Sequence, residues 1–259
     1  MNTPAEPAPA ATPPRLSIVV PALNEADNLR PLVEQVEASI IREGVYAELI
    51  VVDDGSSDDT AAVLAALMKR YTWVRGLRHE LPLGQSRAMF DGIHAARGQF
   101  IATLDADLQN DPADLPAMLR LIESGQADLV QGDRSRNRRD NWIRRRTSGI
   151  GRAFRRMLLG DRVRDTGCSA RVMKADTARR LPLMFKGMHR FIPAHAALQG
   201  ATIAELAVNH RPRMAGTTKY GLGMFSRAWP GLMDCFAMRW MQKRYRAGAV
   251  TPMRPEASR

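Results

Sequence analysis

Hydrophobic residues in the first half of this chain form short continuous runs, and each run ends in a polar segment. Runs of this length are typical of strands buried on both faces, as in a parallel sheet. The strands predicted in this way are residues 16–21, 48–53, 74–77, 100–104 and 128–132. Between them, as in residues 29–36, hydrophobic residues recur at the spacing of an amphipathic helix. This alternation predicts an α/β fold with a mostly parallel central sheet and helices on both of its faces.

Acidic and amide residues follow three of the predicted strands. Asn24-Glu25 lies after the first strand, Asp53-Asp54 at the end of the second, and Asp105-Ala106-Asp107 after residues 100–104. Because ligands of parallel sheets bind beyond the carboxyl ends of the strands, one ligand site at this edge is predicted. The chain has neither a Gly-x-Gly-x-x-Gly fingerprint after the first strand nor a Gly-Lys-Ser/Thr loop. It therefore lacks the usual signatures of dinucleotide and P-loop sites.

Asp105-Ala106-Asp107 carries the clearest candidate chemistry. If the strand continues through this triplet, both carboxylates share one face and can hold a hard divalent cation together with diphosphate oxygens. A turn in which Asp107 caps a helix is an alternative, because Asp is common in turns. A calcium loop is disfavoured, since Asn110 replaces the glycine of its sixth position and Pro116 replaces the glutamate of its twelfth.

The overall charge favours an anionic partner. The 259 residues include 38 Lys and Arg against 27 Asp and Glu, a net charge of +11. Nucleic acid, a phosphate-bearing substrate and an acidic membrane surface all fit this excess. Cys168 and Cys235 have no metal-ligand spacing, which indicates a reduced cytoplasmic setting and excludes a disulfide scaffold. No run approaches the about 20 apolar residues of a membrane span.

Four motifs in order carry a family resemblance. They are Pro21-Ala22-Leu23-Asn24-Glu25, Asp53-Asp54-Gly55-Ser56, Asp105-Ala106-Asp107-Leu108-Gln109 and Gly216-Thr217-Thr218-Lys219-Tyr220. With them the chain resembles family 2 glycosyltransferases of the dolichyl-phosphate mannose synthase type over residues 15–225. The resemblance implies a GT-A (Rossmann-like) fold, a UDP- or GDP-linked sugar donor, Mg²⁺ or Mn²⁺, and inversion at the anomeric carbon.

The resemblance also implies roles for individual residues. The residues expected to line the nucleotide pocket are Pro21, Leu23, Asn24 and Glu25. Asp53 is expected to accept a hydrogen bond from the base, and Asp54 to fix the loop. The residues expected to hold the metal and the diphosphate are Asp105, Asp107 and Gln109, with Ala106 in the same nucleotide-sugar site.

Basic residues are expected to complete the site. Arg134 would neutralise phosphate charge, which makes Asp105, Asp107 and Arg134 the expected catalytic set. The alternative for Arg134 is a solvated arginine in a basic run. Arg213 and Lys219 would bind the nucleotide sugar beside a small-residue lid at residues 215–218, and the alternative there is a basic surface loop.

The acceptor implied by the resemblance is polyprenyl (undecaprenyl or dolichyl) phosphate. Its phosphate oxygen is already anionic near neutral pH, so we expect no strong general base. Asp165 is the nearest candidate for positioning the acceptor, although an Asp-Thr-Gly turn explains it equally well. His189 and His195 are left out of the expected site, because isolated histidines usually make ordinary structural hydrogen bonds.

A basic segment from Arg134 to Arg164 contains 12 arginines and two acids. Its apolar residues recur at helical spacing, and they are Ile143, Ile150, Phe154, Met157 and Leu158. Arginines such as Arg145, Arg152, Arg155 and Arg156 fall mostly on other faces, which predicts an amphipathic helix on an anionic membrane surface. A nucleic-acid surface and a scaffold helix with its apolar stripe in the core are the alternatives.

These observations predict three parts: a Pro/Ala-rich tail at residues 1–14, a GT-A domain at 15–225, and a C-terminal amphipathic helix with a basic tail at 226–259. The main hypothesis is a cytoplasmic glycosyltransferase, peripheral on the cytosolic face of the membrane. A family 2 transferase with a saccharide acceptor and a carboxylate base is the enzyme alternative. A nucleic-acid-binding protein is disfavoured, because three acidic loops repel phosphate unless a divalent ion intervenes.

Overall fold

The computed structural model describes residues 12–135, 154–211, 224–246 and 248, with side chains described from residue 231 onwards in the last helix. In the first of these ranges strands and helices alternate. The elements are β1 (Leu16–Ala22), α1 (Ala26–Val36), β2 (Ala47–Asp53), α2 (Thr60–Arg70), β3 (Val74–Arg78), α3 (Gln85–Ala95), β4 (Phe100–Thr103), α4 (Leu115–Glu123) and β5 (Leu129–Asp133). A π-helical turn (Glu37–Ile41) extends α1, and a 3₁₀ turn (Pro112–Asp114) precedes α4.

The later ranges add two strands and three named helices. They are β6 (Arg171–Lys174), α5 (Ala175–Arg179), α6 (Ile192–Leu198), β7 (Ile203–Ala207) and α7 (Met224–Arg244). A 3₁₀ turn (Met188–Phe191) leads into α6. Residues 154–159 are also helical. Within the described residues, no helix is both long and apolar enough to cross a membrane.

The strands form one sheet of seven in the order β3-β2-β1-β4-β6-β5-β7. The neighbours β1–β2, β1–β4, β2–β3 and β5–β7 are parallel, whereas β6 is antiparallel to both β4 and β5. The predicted mostly parallel α/β sheet is confirmed. The sequence did not predict β6, a strand of only four residues that begins with a charged side chain, Arg171.

The core is divided between the two faces of the sheet, because successive residues of a strand point to opposite sides. Ile18 and Val20 face a cluster that includes Leu32 of α1, Leu64 of α2 and Leu119 of α4. The opposite cluster contains Val19 with residues of α3, α5, α6 and α7, and it is formed in part by Met89, Ala178, Ile192, Cys235 and Met238. Helices therefore cover both faces, as predicted.

Only the end of the predicted basic amphipathic helix belongs to the described residues, since 136–153 lie outside them. Phe154 and Leu158 pack against the second core cluster, and Leu159 is buried in it, whereas Met157 is 77% exposed. Most apolar side chains of this end therefore contact the protein core, in agreement with the scaffold interpretation. The boundary predicted at residue 225 stays a prediction, although Cys235 and Met238 bind α7 to the core.

Candidate functional site

A cavity of about 280 Å³ lies at the carboxyl edge of β1, β2 and β4, and we call it the carboxylate cavity. Its lining residues are Pro21, Ala22, Leu23, Glu25, Asp54, Gly84, Gln85, Asp105, Ala106 and Asp107. Seven residues from the sequence prediction are thus brought together: Pro21, Leu23, Glu25, Asp54, Asp105, Ala106 and Asp107. Among the predicted residues that the structure describes, Asn24, Asp53, Gln109 and Arg134 stand outside this lining.

Asn24 connects the two loops beside the carboxylate cavity. Its backbone N–H donates to Ser56 Oγ at 2.9 Å, and its side-chain Oδ1 accepts a hydrogen bond from the Ser57 backbone at 2.8 Å. The φ of 52° at Asn24 lies in the left-handed region, which asparagine tolerates better than most residues. Asn24 therefore positions the loop that carries Leu23 and Glu25 to the cavity.

Asp54 binds the backbone of a neighbouring loop. Its carboxylate accepts hydrogen bonds from the N–H groups of Leu83 and Gly84, each at 2.8 Å, and Oδ1 lies 2.7 Å from His79 Nδ1. The bound loop leads directly into α3, whose first residue is Gln85. Asp54 thus fixes the loop that brings Gly84 and Gln85 to the cavity.

Asp53 is fully buried at the end of β2. One carboxylate oxygen, Oδ1, accepts a hydrogen bond from the Ser56 backbone at 2.9 Å. The other, Oδ2, lies 3.1 Å from Arg78 Nη1 but has no hydrogen bond of acceptable geometry in the structure. A buried carboxylate oxygen in this state can accept one more donor.

Asp105 and Asp107 both line the carboxylate cavity even though β4 ends at Thr103 and does not continue through them. The expected mechanism, alternation along a strand, is therefore wrong for this triplet. Residues 106–107 form a turn, and Leu108, with a φ of 61°, directs the chain away from the sheet. Both carboxylates therefore reach the cavity from a turn and not from the end of a strand.

The two carboxylates repel each other. Burial raises the pKa of Asp105, and the negative charge of Asp107 raises it further. Asp105 Oδ1 accepts a hydrogen bond from Gln85 Nε2 at 2.7 Å, so its orientation is fixed from α3. A cation between the two groups would favour the ionised form of both.

The donor set fits a cation that keeps substrate and water ligands. In the described ranges, no group of three or more His, Cys, Asp or Glu side chains could hold a metal ion. Mg²⁺ is commonly bound by one or two carboxylates, with substrate phosphates and water as the other ligands. Asp105 and Asp107 supply such a pair, whereas a site built wholly from protein ligands does not fit them.

Gln109 and Arg134 are held by other partners. The carbonyl of Gln109 accepts a hydrogen bond from the Arg211 backbone at 2.8 Å, and Arg211 also forms an ion pair with Asp111. The Arg134 guanidinium binds both carboxylate oxygens of Asp165, at 2.7 and 3.0 Å, and is only 12% exposed. Arg134 is thus not a solvated arginine. Its positive charge partly opposes the rise in the pKa of Asp105.

Arg213, Lys219 and the predicted lid at residues 215–218 lie outside the described residues. Asp165, the candidate for positioning an acceptor, is buried and orients Arg134. His195 is buried in α6, where desolvation lowers its pKa to about 4.

A second cavity, of about 260 Å³, continues from the first across Gln85 and Asp105, which line both. We call it the arginine cavity. Its other lining residues are Arg155, Thr166, Gly167, Ser169, Arg171, His189 and Arg190. Sequence reasoning missed Gln85, Arg155 and Arg171 as site residues and set His189 aside. Arg171 left one signal, a lone arginine within an otherwise apolar stretch, since a buried charge needs nearby partners.

A larger cavity of about 510 Å³ lies between residues 159–163, α6 and β7. It shares no lining residue with the carboxylate cavity or the arginine cavity. We place the candidate active site at the carboxylate cavity and the arginine cavity, because the carboxylates, the strand ends and the buried charges meet there.

Comparison with known proteins gives one family and one fold. The family model "Glycosyl transferase family 2" matches residues 17–181. The dodecaprenyl-phosphate galacturonate synthase of Rhizobium johnstonii is 38% identical over 240 residues, which cover 90% of this chain and 68% of that protein. The undecaprenyl-phosphate 4-deoxy-4-formamido-L-arabinose transferase of Edwardsiella ictaluri is 31% identical over 221 residues, covering 85% and 67%.

Among solved structures, glucosyl-3-phosphoglycerate synthase from Mycobacterium tuberculosis, in complex with Mn²⁺, UDP and phosphoglyceric acid, superposes with a TM-score of 0.63. The match covers 90% of this chain and 80% of that chain at 20% sequence identity, so the shared property is the fold. The expected GT-A fold is thereby confirmed.

Proposed function

This chain belongs to glycosyltransferase family 2, and we propose that it transfers a sugar from a nucleoside diphosphate sugar to polyprenyl phosphate. The observation that carries the proposal is the pair Asp105 and Asp107 in the lining of one cavity, which continues into a second cavity lined by arginines. The two curated relatives are named for dodecaprenyl phosphate and undecaprenyl phosphate acceptors, which supports the acceptor class.

The carboxylate cavity is the proposed donor site. Pro21, Leu23 and Glu25 supply its walls, and Asp53, buried at the end of β2 and ion-paired with Arg78, remains the candidate for an N–H of the base. The N-terminus of α3, held in place through Asp54, contributes Gly84 and Gln85 to the lining. Arg213 and Lys219 remain candidates for contacts to the diphosphate.

Asp105 and Asp107 are the proposed ligands of Mg²⁺ or Mn²⁺, and Gln85 holds Asp105 in position. A bound cation would stabilise the negative charge on the departing nucleoside diphosphate. The fold neighbour solved with Mn²⁺ and UDP supports this assignment. Gln109, whose backbone pairs with Arg211, is retained as a weaker third ligand.

In the proposed reaction, an acceptor phosphate oxygen attacks the anomeric carbon from the side opposite the leaving group. The new bond forms between that oxygen and the anomeric carbon, while the bond to the diphosphate oxygen breaks and the nucleoside diphosphate leaves with the electron pair. An ionised phosphate oxygen has no proton to lose, so the protein needs no general base. Arg134 and Arg171 supply positive charge near the reacting groups.

Contact with a membrane is proposed for the outer face of α7. Met233, Phe236 and Trp240 on this helix are 47%, 48% and 61% exposed, and they recur at helical spacing. Exposed Lys243 and Arg244 follow them at the end of the helix. An apolar stripe with neighbouring cations suits the headgroup region of an anionic bilayer, which fits a protein peripheral on the cytosolic face.

The proposal is tested by a screen of UDP- and GDP-sugars with undecaprenyl phosphate and Mn²⁺, with product mass as the readout. One donor is expected to give a glycosyl phospholipid. Asp107→Ala should lower the rate about 100-fold or more, because a ligand of the leaving-group cation is removed. Asp176→Ala, which removes an exposed carboxylate of α5, is the matched control.

A second readout of the same variants is thermal unfolding. Mn²⁺ with UDP or GDP should raise the Tm of the wild type and of Asp176→Ala, and should leave that of Asp107→Ala unchanged. Transfer by Asp107→Ala at the wild-type rate would reject the metal assignment. Absence of transfer from every donor would reject the proposed function.

A further inference from the structure

The arginine cavity has an excess of positive charge. Arg155, Arg171 and Arg190 line it, and among the residues of its described lining Asp105 is the one acid. Because the cavity begins at Asp105, any group bound there lies next to the reacting end of a donor. The charge of this cavity therefore indicates which kind of second substrate binds beside the donor.

Arg171 is 2% exposed and has no carboxylate among its hydrogen-bond partners in the described ranges. Its Nε donates to Gln131 Oε1 at 2.6 Å, and its Nη2 donates to the carbonyl of Thr166 at 3.0 Å. Burial lowers the pKa of Arg171 to about 10. A buried cation bound only by neutral groups is costly, and an anionic ligand would offset that cost.

Arg155 is held in place from three sides. Its Nη2 pairs with Asp161 at 2.5 Å, and its Nη1 donates to Thr166 Oγ1 at 2.5 Å and to the carbonyl of Arg190 at 3.0 Å. Its Nε is buried and makes no hydrogen bond with any residue that the structure describes. This fixed guanidinium keeps one donor that its protein partners do not use.

His189 reaches the same cavity from the 3₁₀ turn before α6, and Ser86 of α3 determines which ring nitrogen carries the proton. Ser86 Oγ accepts a hydrogen bond from the His189 backbone at 3.2 Å and lies 2.7 Å from Nδ1. Within the described part of the chain the Ser86 hydroxyl has no other acceptor, so its proton goes to Nδ1. The tautomer that satisfies the hydroxyl carries the ring proton on Nε2.

The imidazole stays neutral at this position. Burial lowers the pKa of His189 to about 3, and the charges of Arg190 and Arg171 act in the same direction. A neutral ring with its proton on Nε2 donates a hydrogen bond there and cannot accept a proton at that atom. His189 is therefore a donor and not a general base.

We propose that the arginine cavity binds the phosphate group of the acceptor, and that His189 donates a hydrogen bond from Nε2 to one of its oxygens. This inference rests on the proposed transfer function and assigns the phosphate subsite within it. Guanidinium groups and one N–H donor match the acceptor-only oxygens of a phosphate monoester. A neutral alcohol would leave Arg171 hydrogen-bonded only to neutral acceptors within the described residues, and it would meet Asp105, already engaged with Gln85, as the sole carboxylate of the described lining.

Binding and turnover are measured separately in the test. Calorimetry follows the binding of farnesyl phosphate and of farnesol to the full chain with Mg²⁺. Farnesyl phosphate is expected to bind and farnesol is not. His189→Ala should weaken the affinity for farnesyl phosphate about tenfold, because one hydrogen bond to a charged group is lost. The same variant should change the affinity for UDP or GDP less than about twofold.

Three further variants control this result. His189→Gln keeps an N–H donor and should restore most of the affinity, whereas His189→Glu places a negative charge against the phosphate and should abolish it. His94→Ala, which removes an exposed histidine of α3, should behave as the wild type. Thermal unfolding of each variant shows whether it is folded.

Equal binding of farnesol and farnesyl phosphate would overturn the inference, as would an unchanged affinity in folded His189→Ala. An equal loss of nucleotide affinity in that variant would also overturn it. Because the readout is binding, these outcomes are independent of the donor screen. The subsite can therefore fail while the proposed transfer holds, and the transfer can fail while the phosphate still binds.

Discussion

Asp54 illustrates how a residue of the site can act through the backbone. Its carboxylate binds two N–H groups of the loop before α3, and this loop in turn presents Gly84 and Gln85 to the carboxylate cavity. Gly55, the next residue, allows the close contact, because a Cβ at its position would lie 2.7 Å from the Leu81 carbonyl carbon and the Pro82 nitrogen. The pair Asp54-Gly55 therefore connects two loops of the site.

Gly55→Ala is predicted to destabilise the protein more than Gly44→Ala. Both glycines have a positive φ, 71° and 79°, but a Cβ at Gly44 would meet no atom within 4 Å. We expect about 1 kcal/mol of lost stability at Gly44 and about 3 kcal/mol at Gly55, where steric overlap adds to backbone strain. Denaturant unfolding of both variants measures the difference, and equal losses would contradict the contact.

The predictability of site residues depended on how far apart their partners are in sequence. Asp105 and Asp107 could be predicted because they directly follow a recognisable strand. His189 could not, because its partner Ser86 is 103 residues away. Hydrophobic periodicity describes the environment of one segment and carries no information on which distant segments meet. The mutual arrangement of Gln85, Arg171 and His189 therefore became known only from the folded chain.

At the scale of elements, β6 determines which residues reach the site. It is antiparallel to β4 and β5, so its first residue, Arg171, pairs with Thr103 at the edge where β4 ends. β1 to β5 could be predicted from their apolar runs. A strand of four residues that begins with Arg171 and ends with Lys174 gives too weak a pattern, and the partner of Arg171, Gln131, lies 40 residues away in sequence.

Asp128, just before β5, connects three strands at the opposite edge. It forms an ion pair with Lys174 of β6 at 2.7 Å and accepts hydrogen bonds from the backbone and hydroxyl of Thr202, which precedes β7, each at 2.8 Å. The hydrogen bond from Lys174 and those from Thr202 lower the pKa of Asp128 from 3.8 to about 2. This carboxylate therefore contributes to stability when it is ionised.

Asp128→Asn is predicted to cost about 1 to 2 kcal/mol of stability at neutral pH. Because the pKa is lower in the folded state, the contribution is present in full above about pH 4 and is lost as the pH falls towards 2. The wild type and the variant should therefore converge in acid. Urea unfolding at several pH values measures this, with exposed Asp27→Asn as control. A difference independent of pH would contradict the assignment.

At the scale of the whole molecule, α7 is far in sequence from the site but packs against the same sheet core, and it carries exposed apolar side chains. Cys235 and Met238 hold the helix to the core, so Met233, Phe236 and Trp240 remain on its outer side. The sequence predicted membrane contact mainly for the basic segment, yet Arg155 at its described end is paired with Asp161 inside the arginine cavity. The apolar face of α7 is the better candidate in the described chain.

Replacing Phe236 and Trp240 together with Ser is predicted to weaken binding to vesicles rich in phosphatidylglycerol by about tenfold or more, because two large side chains no longer enter the interface. Sedimentation with vesicles measures the partition. Tyr46→Ser is the matched control, since Tyr46 is 58% exposed just before β2, at the amino-terminal edge of the sheet. Equal binding of the double variant and the wild type would exclude α7 as the contact.

The two cavities are built from different parts of the chain, and this division has a consequence for how such enzymes diverge. All the described lining residues of the carboxylate cavity come from chain segments before β5, whereas Arg155, Arg171, His189 and Arg190 of the arginine cavity come after it. Gln85 and Asp105 belong to both. Recombination between two relatives within residues 136–153 would therefore exchange one substrate preference and keep the other. If the carboxylate cavity binds the donor and the arginine cavity binds the acceptor phosphate, as proposed, a gene duplicated in this family can change its acceptor without losing its donor.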